Sequence, residues 1–97
     1  MIKIEITETS VICDGHACYA EKGKDIVCEA ITALFQTLDQ SLEVLTNDHF
    51  TTFMKSGHTE LVNEHPSKEG KLLMDAFSLG AEMISSAFPD YVRVSKH

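Results

Sequence analysis

The stretch GHACYAEKGKDIVCEAITAL, residues 15–34, joins a polar loop to the start of a long helix, and the rest of the fold is arranged around that junction. Its middle part, CYAEKGK, is small, polar and without an apolar period, which is typical of a loop. Asp25 then provides an N-cap. Apolar residues recur at helical spacing from there onward: Ile26, Val27, Ala30, Ile31, Leu34, Leu38, Leu42 and Leu45. The pattern predicts a helix that carries Cys28 on its flank, beside Thr32 and Phe35.

Strand-like segments lie on both sides of this helix. MIKIEITE alternates with period two and predicts a half-buried strand, and SVICDGHA predicts a second strand paired to it. HFTTFMK and HTELVNE flank Ser56–Gly57 and predict a hairpin. YVRVS predicts a last short strand near the end of the chain.

A second helix is predicted to begin at Ser67 and to end before Pro89, because proline cannot continue the helical hydrogen-bond ladder. Its predicted apolar stripe contains Leu72, Leu73, Ala76, Phe77, Gly80, Ile84, Ala87 and Phe88. Met74 and Met83 are interpreted as further packing residues of this helix. The order β-β-α-β-β-α-β predicts an α+β fold: a two-layer sandwich with two helices packed on one face of a mainly antiparallel sheet.

The composition indicates one globular domain. The 97 residues predict a single domain over residues 1–97, with a core small enough to leave room for dimerisation. Fifteen acidic and 8 basic residues give a net charge of −7, which argues against direct nucleic-acid binding and favours a basic partner. The sequence shows no transmembrane run, and its N-terminus alternates instead of forming a signal-peptide core. We therefore expect a cytoplasmic location and no membrane partner.

The junction of loop and helix combines the residue types of a thiol nucleophile and its base. A thiol attacks only as thiolate, and Cys28 falls in the first helical turn, where free N–H groups and the helix dipole favour negative charge. His16 lies twelve residues earlier and can act as general base or as a neighbouring imidazolium. We therefore expect a lowered pKa for Cys28. We also expect N–H groups around Cys28 to bind the oxyanion of an attacked carbonyl.

The residues themselves leave other interpretations open. Cys28 can be a small packing residue, and His16 can be a turn residue. Cys13, His16, Cys18 and Cys28 form a C-x4-C spacing with one histidine inside, which fits no standard zinc pattern, so neither a metal nor another cofactor is expected. A thiol redox protein is disfavoured because no C-x-x-C is present.

The other cysteines and histidines carry weaker signals. Cys13 alternates within a predicted strand and is interpreted as structural. Cys18 lies in the loop beside the candidate site and is interpreted as incidental. His58 and His65 flank a predicted strand and are interpreted as solvated side chains.

The segments DGHA and GKDIVCEAITAL, with a short glycine-containing loop between them, resemble the Prp family of ribosomal-processing cysteine proteases. His16 and Cys28 occupy the positions of that family's catalytic pair, with the same twelve-residue step. Asp25 matches the family's aspartate, and we interpret it first as the N-cap that fixes Cys28 and second as a charge near His16. Gly15 and Gly23 are expected to supply the turns of the loop.

The resemblance implies a cysteine endopeptidase with a Cys/His dyad. Family members remove the N-terminal extension of large-subunit ribosomal protein twenty-seven by cutting after phenylalanine in a hydrophobic motif, and phage relatives process virion proteins. They are homodimers, and the loop between the catalytic residues gates the site. Here that loop runs from Ala17 to Lys24 and includes Cys18 and Tyr19. The alternative is a non-catalytic homologue that binds a ribosomal or phage virion protein.

Two positions depart from the family pattern. Thr32, one turn after Cys28, stands where the resemblance leads us to expect serine, and its hydroxyl can keep the same hydrogen bond. Glu29 follows Cys28 where a small residue is usual. A carboxylate there can raise the pKa of the Cys28 thiol or repel an acidic substrate.

Overall fold

The structure, a computed structural model, describes residues 1–21 and 24–97. Within these residues the helices and strands follow the predicted order. They are β1 (Ile2–Ile6), β2 (Ser10–Asp14), α1 (Ile26–Leu45), β3 (Thr51–Lys55), β4 (His58–Val62), α2 (Lys68–Ala87) and β5 (Val92–Lys96).

The strands form one sheet in the order β3-β4-β2-β1-β5. β1 pairs antiparallel with β2, β2 with β4, and β3 with β4, whereas β1 and β5 are parallel. The parallel pair follows from α2, which crosses between the hairpin and the last strand and returns the chain in the same direction. The predicted mainly antiparallel sheet is confirmed.

The two faces of the sheet differ in burial. Ile2, Ile4 and Ile6 of β1 are buried, while Lys3 and Glu5 between them are exposed. Because alternate side chains of a strand point to opposite faces, this pattern leaves one face to the core and the other to solvent. Buried residues of both helices belong to the same apolar cluster as β1, so both helices cover one face, as predicted.

The apolar stripe of α1 is shifted from its predicted position. Its buried residues are Val27, Ile31, Phe35, Leu38 and Leu42. Phe35, predicted on the flank, is fully buried and meets Phe77 of α2 edge to face, with 6.4 Å between ring centroids. Ile26, the first residue of the helix and predicted in the stripe, is 54% exposed, so that assignment is wrong.

The stripe of α2 is shifted as well. Its buried residues are Gly70, Met74, Phe77, Ser78 and Ala81. Leu72 and Met83, both predicted to pack, are 70% and 72% exposed, so those two assignments are wrong. α2 carries apolar residues on more than one side, and its contacts with α1 and β5 decide which row is buried.

The predicted ends of the helices and the predicted hairpin are confirmed. Asp25 caps α1, and Ser67 caps α2 by accepting a hydrogen bond from the N–H of Gly70. Ser56 and Gly57 form the turn between β3 and β4, where Gly57 has a φ of +78° that favours glycine. Across residues 1–21 and 24–97, neither helix has the length and apolar character needed to cross a membrane.

Candidate active site

The backbone after β2 turns sharply toward the β3–β4 hairpin. Gly15 has a φ of +102°, and its N–H donates to the carbonyl oxygen of Gly57 across 2.8 Å. A Cβ atom at Gly15 would collide with the carbonyl oxygen of Met1, so any side chain would displace the N-terminal strand. Gly15 therefore supplies the turn predicted for it, whereas Gly23, the other predicted turn residue, lies outside the described residues.

Cys28 and His16 line the same open cleft, of about 630 Å³, between α1 and the β3–β4 hairpin. Cys28 is half-buried in the first turn of α1, and its Sγ accepts a hydrogen bond from the N–H of Ala17 across 3.3 Å. The His16 ring is exposed and lies on the turn, where a Cβ atom at Gly57 would come within 2.6 Å of its Nε2. The fold thus brings the two residues, twelve apart in sequence, to one site.

Asp25 uses both carboxylate oxygens at this junction. Oδ1 accepts hydrogen bonds from the N–H groups of Val27 and Cys28, each at 3.0 Å. Oδ2 accepts from Tyr19 N–H at 3.0 Å and from Ala20 N–H at 3.4 Å. Burial alone would raise the pKa of Asp25, but these donors outweigh it, and the pKa lies below its ordinary value. The predicted cap is confirmed, and the same residue also holds the loop.

The pKa of Cys28 is raised, so the predicted lowering is wrong. Burial is the main cause; the charge of Asp25 and the neighbouring Cys18 add to it, while the hydrogen bond from Ala17 acts in the opposite direction. The helix start does not stabilise a thiolate as expected, because the Asp25 carboxylate already occupies its N–H groups and adds a negative charge beside the sulfur. The raised pKa favours the neutral thiol of Cys28 over the thiolate.

Because the Asp25 carboxylate binds the N–H of Cys28, the donors expected for the oxyanion change as well. The N–H of Cys28 is bound to Asp25, so it does not point freely into the cleft. The N–H that faces the sulfur is that of Ala17, in the loop. The sequence could not reveal this donor, because its position depends on how the loop folds back over the helix.

The remaining loop residues have distinct environments. Ala17 is buried; Cys18 is exposed and has a φ of +57°, in the left-handed region. The ring of Tyr19 packs edge to face on Phe88 and Tyr91, with centroid distances of 5.5 and 5.1 Å. Tyr19 therefore attaches the loop to the end of α2 and the start of β5.

Three further residues of the site are accessible to solvent: Lys24 at the end of the loop, and Thr32 and Glu29, which depart from the family pattern. Lys24 is exposed and donates its N–H to the carbonyl oxygen of Glu21. Thr32 and Glu29 line the cleft with exposed side chains, one turn from Cys28 and next to it. The carboxylate whose charge raises the pKa of Cys28 is that of Asp25.

His58 also lines the cleft, and interpreting it as merely solvated is wrong. Its Nδ1 lies 2.8 Å from Asp14 Oδ1 and its Nε2 lies 2.7 Å from Glu60 Oε1. Hydrogen bonds to Asp14 and then Glu60 raise the pKa of His58. Asp14 and His58 are 44 residues apart, and only the strand register that pairs them reveals the contact. Asp14 therefore binds His58 in this structure.

The three cysteines remain free thiols. Cys13 is buried in β2, which confirms its structural interpretation, and burial raises its pKa to about 11. Across the part of the chain that the structure describes, no group of three or more His, Cys, Asp or Glu side chains is placed to hold a metal ion.

Similarity to known proteins covers most of the chain. Residues 1–93 match the family described as cysteine protease Prp. Ribosomal processing cysteine protease Prp from Mycoplasma genitalium is 56% identical over 34 residues, which are 35% of this chain and 34% of that protein. This curated relative is therefore matched over about a third of its length.

Crystal structures with the same fold match all or nearly all of the chain. The essential ribosomal processing protease Prp from S. aureus, in complex with a covalently linked product peptide, has a TM-score of 0.94 and 24% identity, with 100% of both chains covered. SMU.848 from Streptococcus mutans has a TM-score of 0.85 and 28% identity, with 99% of this chain and 93% of the other covered. By the match over residues 1–93, the chain belongs to the cysteine protease Prp family.

Proposed function

We propose that this chain is a cysteine endopeptidase that processes a ribosomal protein, with Cys28 as nucleophile and His16 as general base and acid. The observation that carries the proposal is the convergence of both residues in one cleft, where the amide after His16 donates directly to the Cys28 sulfur. Membership of the cysteine protease Prp family supports the reaction class. The S. aureus relative holds a covalently linked product peptide, which is consistent with a covalent intermediate.

The raised pKa of Cys28 determines how the thiol is activated. A preformed thiolate is disfavoured beside Asp25, so the proton must leave during attack. His16 accepts that proton as the sulfur bonds to the scissile carbonyl carbon, and then donates it to the leaving amine. Water hydrolyses the resulting thioester, with His16 again as base, and regenerates the Cys28 thiol.

The negative oxygen of the tetrahedral intermediate needs hydrogen-bond donors close to the sulfur. Ala17 N–H donates to Cys28 Sγ across 3.3 Å, so this loop amide lies beside the sulfur and can turn to the oxyanion. The amide of Cys28 can contribute only after it separates from Asp25. In this proposal the loop from Ala17 to Lys24 both covers the site and completes it.

The cleft favours an apolar side chain next to the scissile bond. Ile2, Ile31, Phe35 and Met54 contribute apolar lining to the cleft that contains Cys28. A volume of about 630 Å³ is within the range of sites that enclose small ligands and large side chains. This lining supports cleavage after phenylalanine in a hydrophobic motif. We infer the precursor of large-subunit ribosomal protein twenty-seven as the substrate, with a phage virion protein as the second choice.

The proposal includes the setting of the reaction. A ribosomal precursor is met in the cytoplasm, so we propose a cytoplasmic location. We also propose that the chain is a homodimer and that residues 1–97 form one protease domain, as the family resemblance implies.

The direct test is cleavage of a peptide that carries the hydrophobic phenylalanine-containing motif, followed by mass spectrometry. We expect one cut after phenylalanine, and we expect Cys28→Ala and His16→Ala to lose at least about a thousandfold in rate. Because Cys28 is only half-buried, Cys28→Ala should unfold within about 1 kcal/mol of the wild type. His65→Ala is the matched control for His16→Ala, since His65 is exposed and does not line the cleft.

Two results would contradict the proposal. Cleavage retained by Cys28→Ala would exclude Cys28 as nucleophile, and cleavage retained by His16→Ala would exclude His16 as base. A wild-type protein that binds the peptide without cutting it, and also fails to cut a virion-protein peptide, would instead support the binding-only alternative.

A further inference from the structure

The side chain of His58 bridges two carboxylates, those of Asp14 and Glu60. It is the first residue of β4, and its two ring nitrogens face Asp14 Oδ1 at 2.8 Å and Glu60 Oε1 at 2.7 Å. Carboxylate oxygens only accept hydrogen bonds, so both nitrogens must carry hydrogen to make both contacts. The bridge is therefore complete only when His58 is an imidazolium.

The bridge lies next to the backbone that carries His16. Asp14 precedes His16 by two residues, and Gly57 immediately precedes His58. Between them, the N–H of Gly15 donates to the carbonyl oxygen of Gly57 across 2.8 Å. The His16 ring rests on the same turn, so close that a Cβ atom at Gly57 would lie 2.6 Å from His16 Nε2. The end of β2 is thus joined both to the Gly57 turn and to the first residue of β4, next to the turn that the His16 ring contacts.

The charges around His58 favour the bridged state. Asp14 on β2 and Glu60 on β4 bond to the ring, while Lys55 stands opposite it on β3 and Lys3 stands opposite Asp14 on β1. The two carboxylates have a larger effect on His58 than the lysines. The hydrogen bond to Asp14, and then the one to Glu60, raise the pKa of His58. The Phe53 ring is 6.4 Å from the His58 ring, between centroids, and adds no charge.

We propose that His58 is a positioning residue: by bridging Asp14 and Glu60 it fixes the Gly57 turn against which the His16 ring is placed for proton transfer. The inference rests on the proposed function of His16. His58 itself does not touch the reacting atoms. Its effect falls on the orientation of His16, and so on the chemical step more than on peptide binding.

The bridge should make the cleavage rate depend on pH in one direction. A raised pKa means that the bridge is fully formed below the ordinary pKa of histidine, about 6.5, and is lost as the pH rises through the higher pKa of His58 in the folded protein. Above that pH the neutral ring has one N–H and can satisfy only one carboxylate. The rate should therefore fall as the pH rises through the pKa of His58, because the turn loses its second attachment.

Three variants in the full chain test the proposal. His58→Phe keeps an aromatic ring but has no donor; His58→Arg keeps a permanent charge with donors for both carboxylates; His65→Phe is the matched control at an exposed histidine. With the phenylalanine-containing peptide, we expect His58→Phe to lower kcat about tenfold with little change in KM. We expect His58→Arg to restore most of kcat and to remove the decline of the rate with rising pH, and His65→Phe to match the wild type.

A second measurement does not depend on cleavage. In the Cys28→Ala background, NMR of the histidine rings should show a shifted His16 signal in His58→Phe but not in His65→Phe. Unchanged His16 signals together with unchanged kcat in His58→Phe would overturn the positioning role while leaving the protease proposal intact. Loss of the protease proposal would appear separately, as cleavage by Cys28→Ala or His16→Ala. If His58→Phe does not fold, Glu60→Leu removes one carboxylate of the bridge, with the same expectations and the same contradicting result.

Discussion

Asp25 connects the ionisation of Cys28 to the position of the loop. One of its oxygens bonds to the first turn of α1, and the other bonds to the amides of Tyr19 and Ala20. Its charge also raises the pKa of Cys28, after the larger effect of burial. If the loop moved away, the carboxylate would lose two donors, so the electrostatic environment of the thiol depends on the loop. The residue is therefore more than an N-cap.

The change Asp25→Asn separates these roles. The asparagine oxygen can still accept from Val27 and Cys28, so the cap persists, but its NH2 group cannot accept from the loop amides and no negative charge remains. We expect the pKa of Cys28 to fall, and the rate of its alkylation by iodoacetamide to reach half-maximum at a lower pH than in the wild type. Mass spectrometry of the labelled peptide distinguishes Cys28 from the exposed Cys18.

Glu29→Gln is the matched control for that experiment. It removes a carboxylate adjacent to Cys28 in sequence whose side chain is exposed, whereas Asp25 is the carboxylate whose charge raises the pKa of Cys28. Its alkylation profile should therefore follow the wild type. A profile unchanged in Asp25→Asn, or shifted in Glu29→Gln to the same extent, would show that Asp25 does not raise the pKa of the thiol.

The loop itself is held at its centre by an aromatic contact. Tyr19 packs edge to face on Phe88 and Tyr91, at the junction of α2 and β5. Each such pair contributes about 0.5–1.5 kcal/mol beyond its buried area. These two contacts attach the loop to the end of α2 and the start of β5.

We expect Tyr19→Ala to loosen the loop. Losing two aromatic pairs should increase hydrogen exchange at the amides of residues 19 and 20 by about tenfold, because about 1.4 kcal/mol corresponds to that factor. Tyr19→Phe keeps the ring and is the matched control, with exchange equal to the wild type. Equal exchange rates in Tyr19→Ala and Tyr19→Phe would mean that the bonds to Asp25, and not the ring, hold the loop.

At the scale of helices and strands, the sequence predicted what is determined locally. Asp25 and Ser67 were identifiable as caps because a cap depends on residues within one turn. Ser56–Gly57 was identifiable as a turn for the same reason. The buried row of α2 could not be identified from the sequence. Leu72 and Met74 are both apolar, and only packing against neighbouring elements decides which one is buried.

In the candidate site, too, the sequence predicted some features and only the folded structure determines others. The motif located His16 and Cys28, and the structure places both in one cleft. The raised pKa of Cys28 could not be predicted from its helical position, because it depends on burial and on the Asp25 carboxylate. His58 was missed because its partner Asp14 is distant in sequence and is brought opposite it only by the pairing of β2 with β4.

At the scale of the whole molecule, the core of the sheet and the cleft share a titratable group. Cys13 lies in β2, between β1 and β4, where its partners in register are Ile4 and Thr59. Its buried thiol also lines the cleft from the side of the sheet. The pKa of Cys13 is raised to about 11 from the ordinary value of 9.0, by burial and against the hydrogen bond with Thr59. Ionisation of this group is thus linked to unfolding of the entire domain.

The last prediction follows from that linkage. Between about pH 9 and 11 the unfolded chain ionises Cys13 while the folded protein keeps it neutral, so the stability present below pH 9 is lost as the pH rises. We expect the free energy of unfolding to fall by about 2 kcal/mol more in the wild type than in Cys13→Ala between about pH 8 and 10.5. Denaturant titrations of both proteins at the two pH values measure this. The cavity left by Cys13→Ala lowers stability equally at both pH values and cancels in the comparison. Equal losses in the two proteins would mean that Cys13 ionises as readily in the folded state as in the unfolded chain.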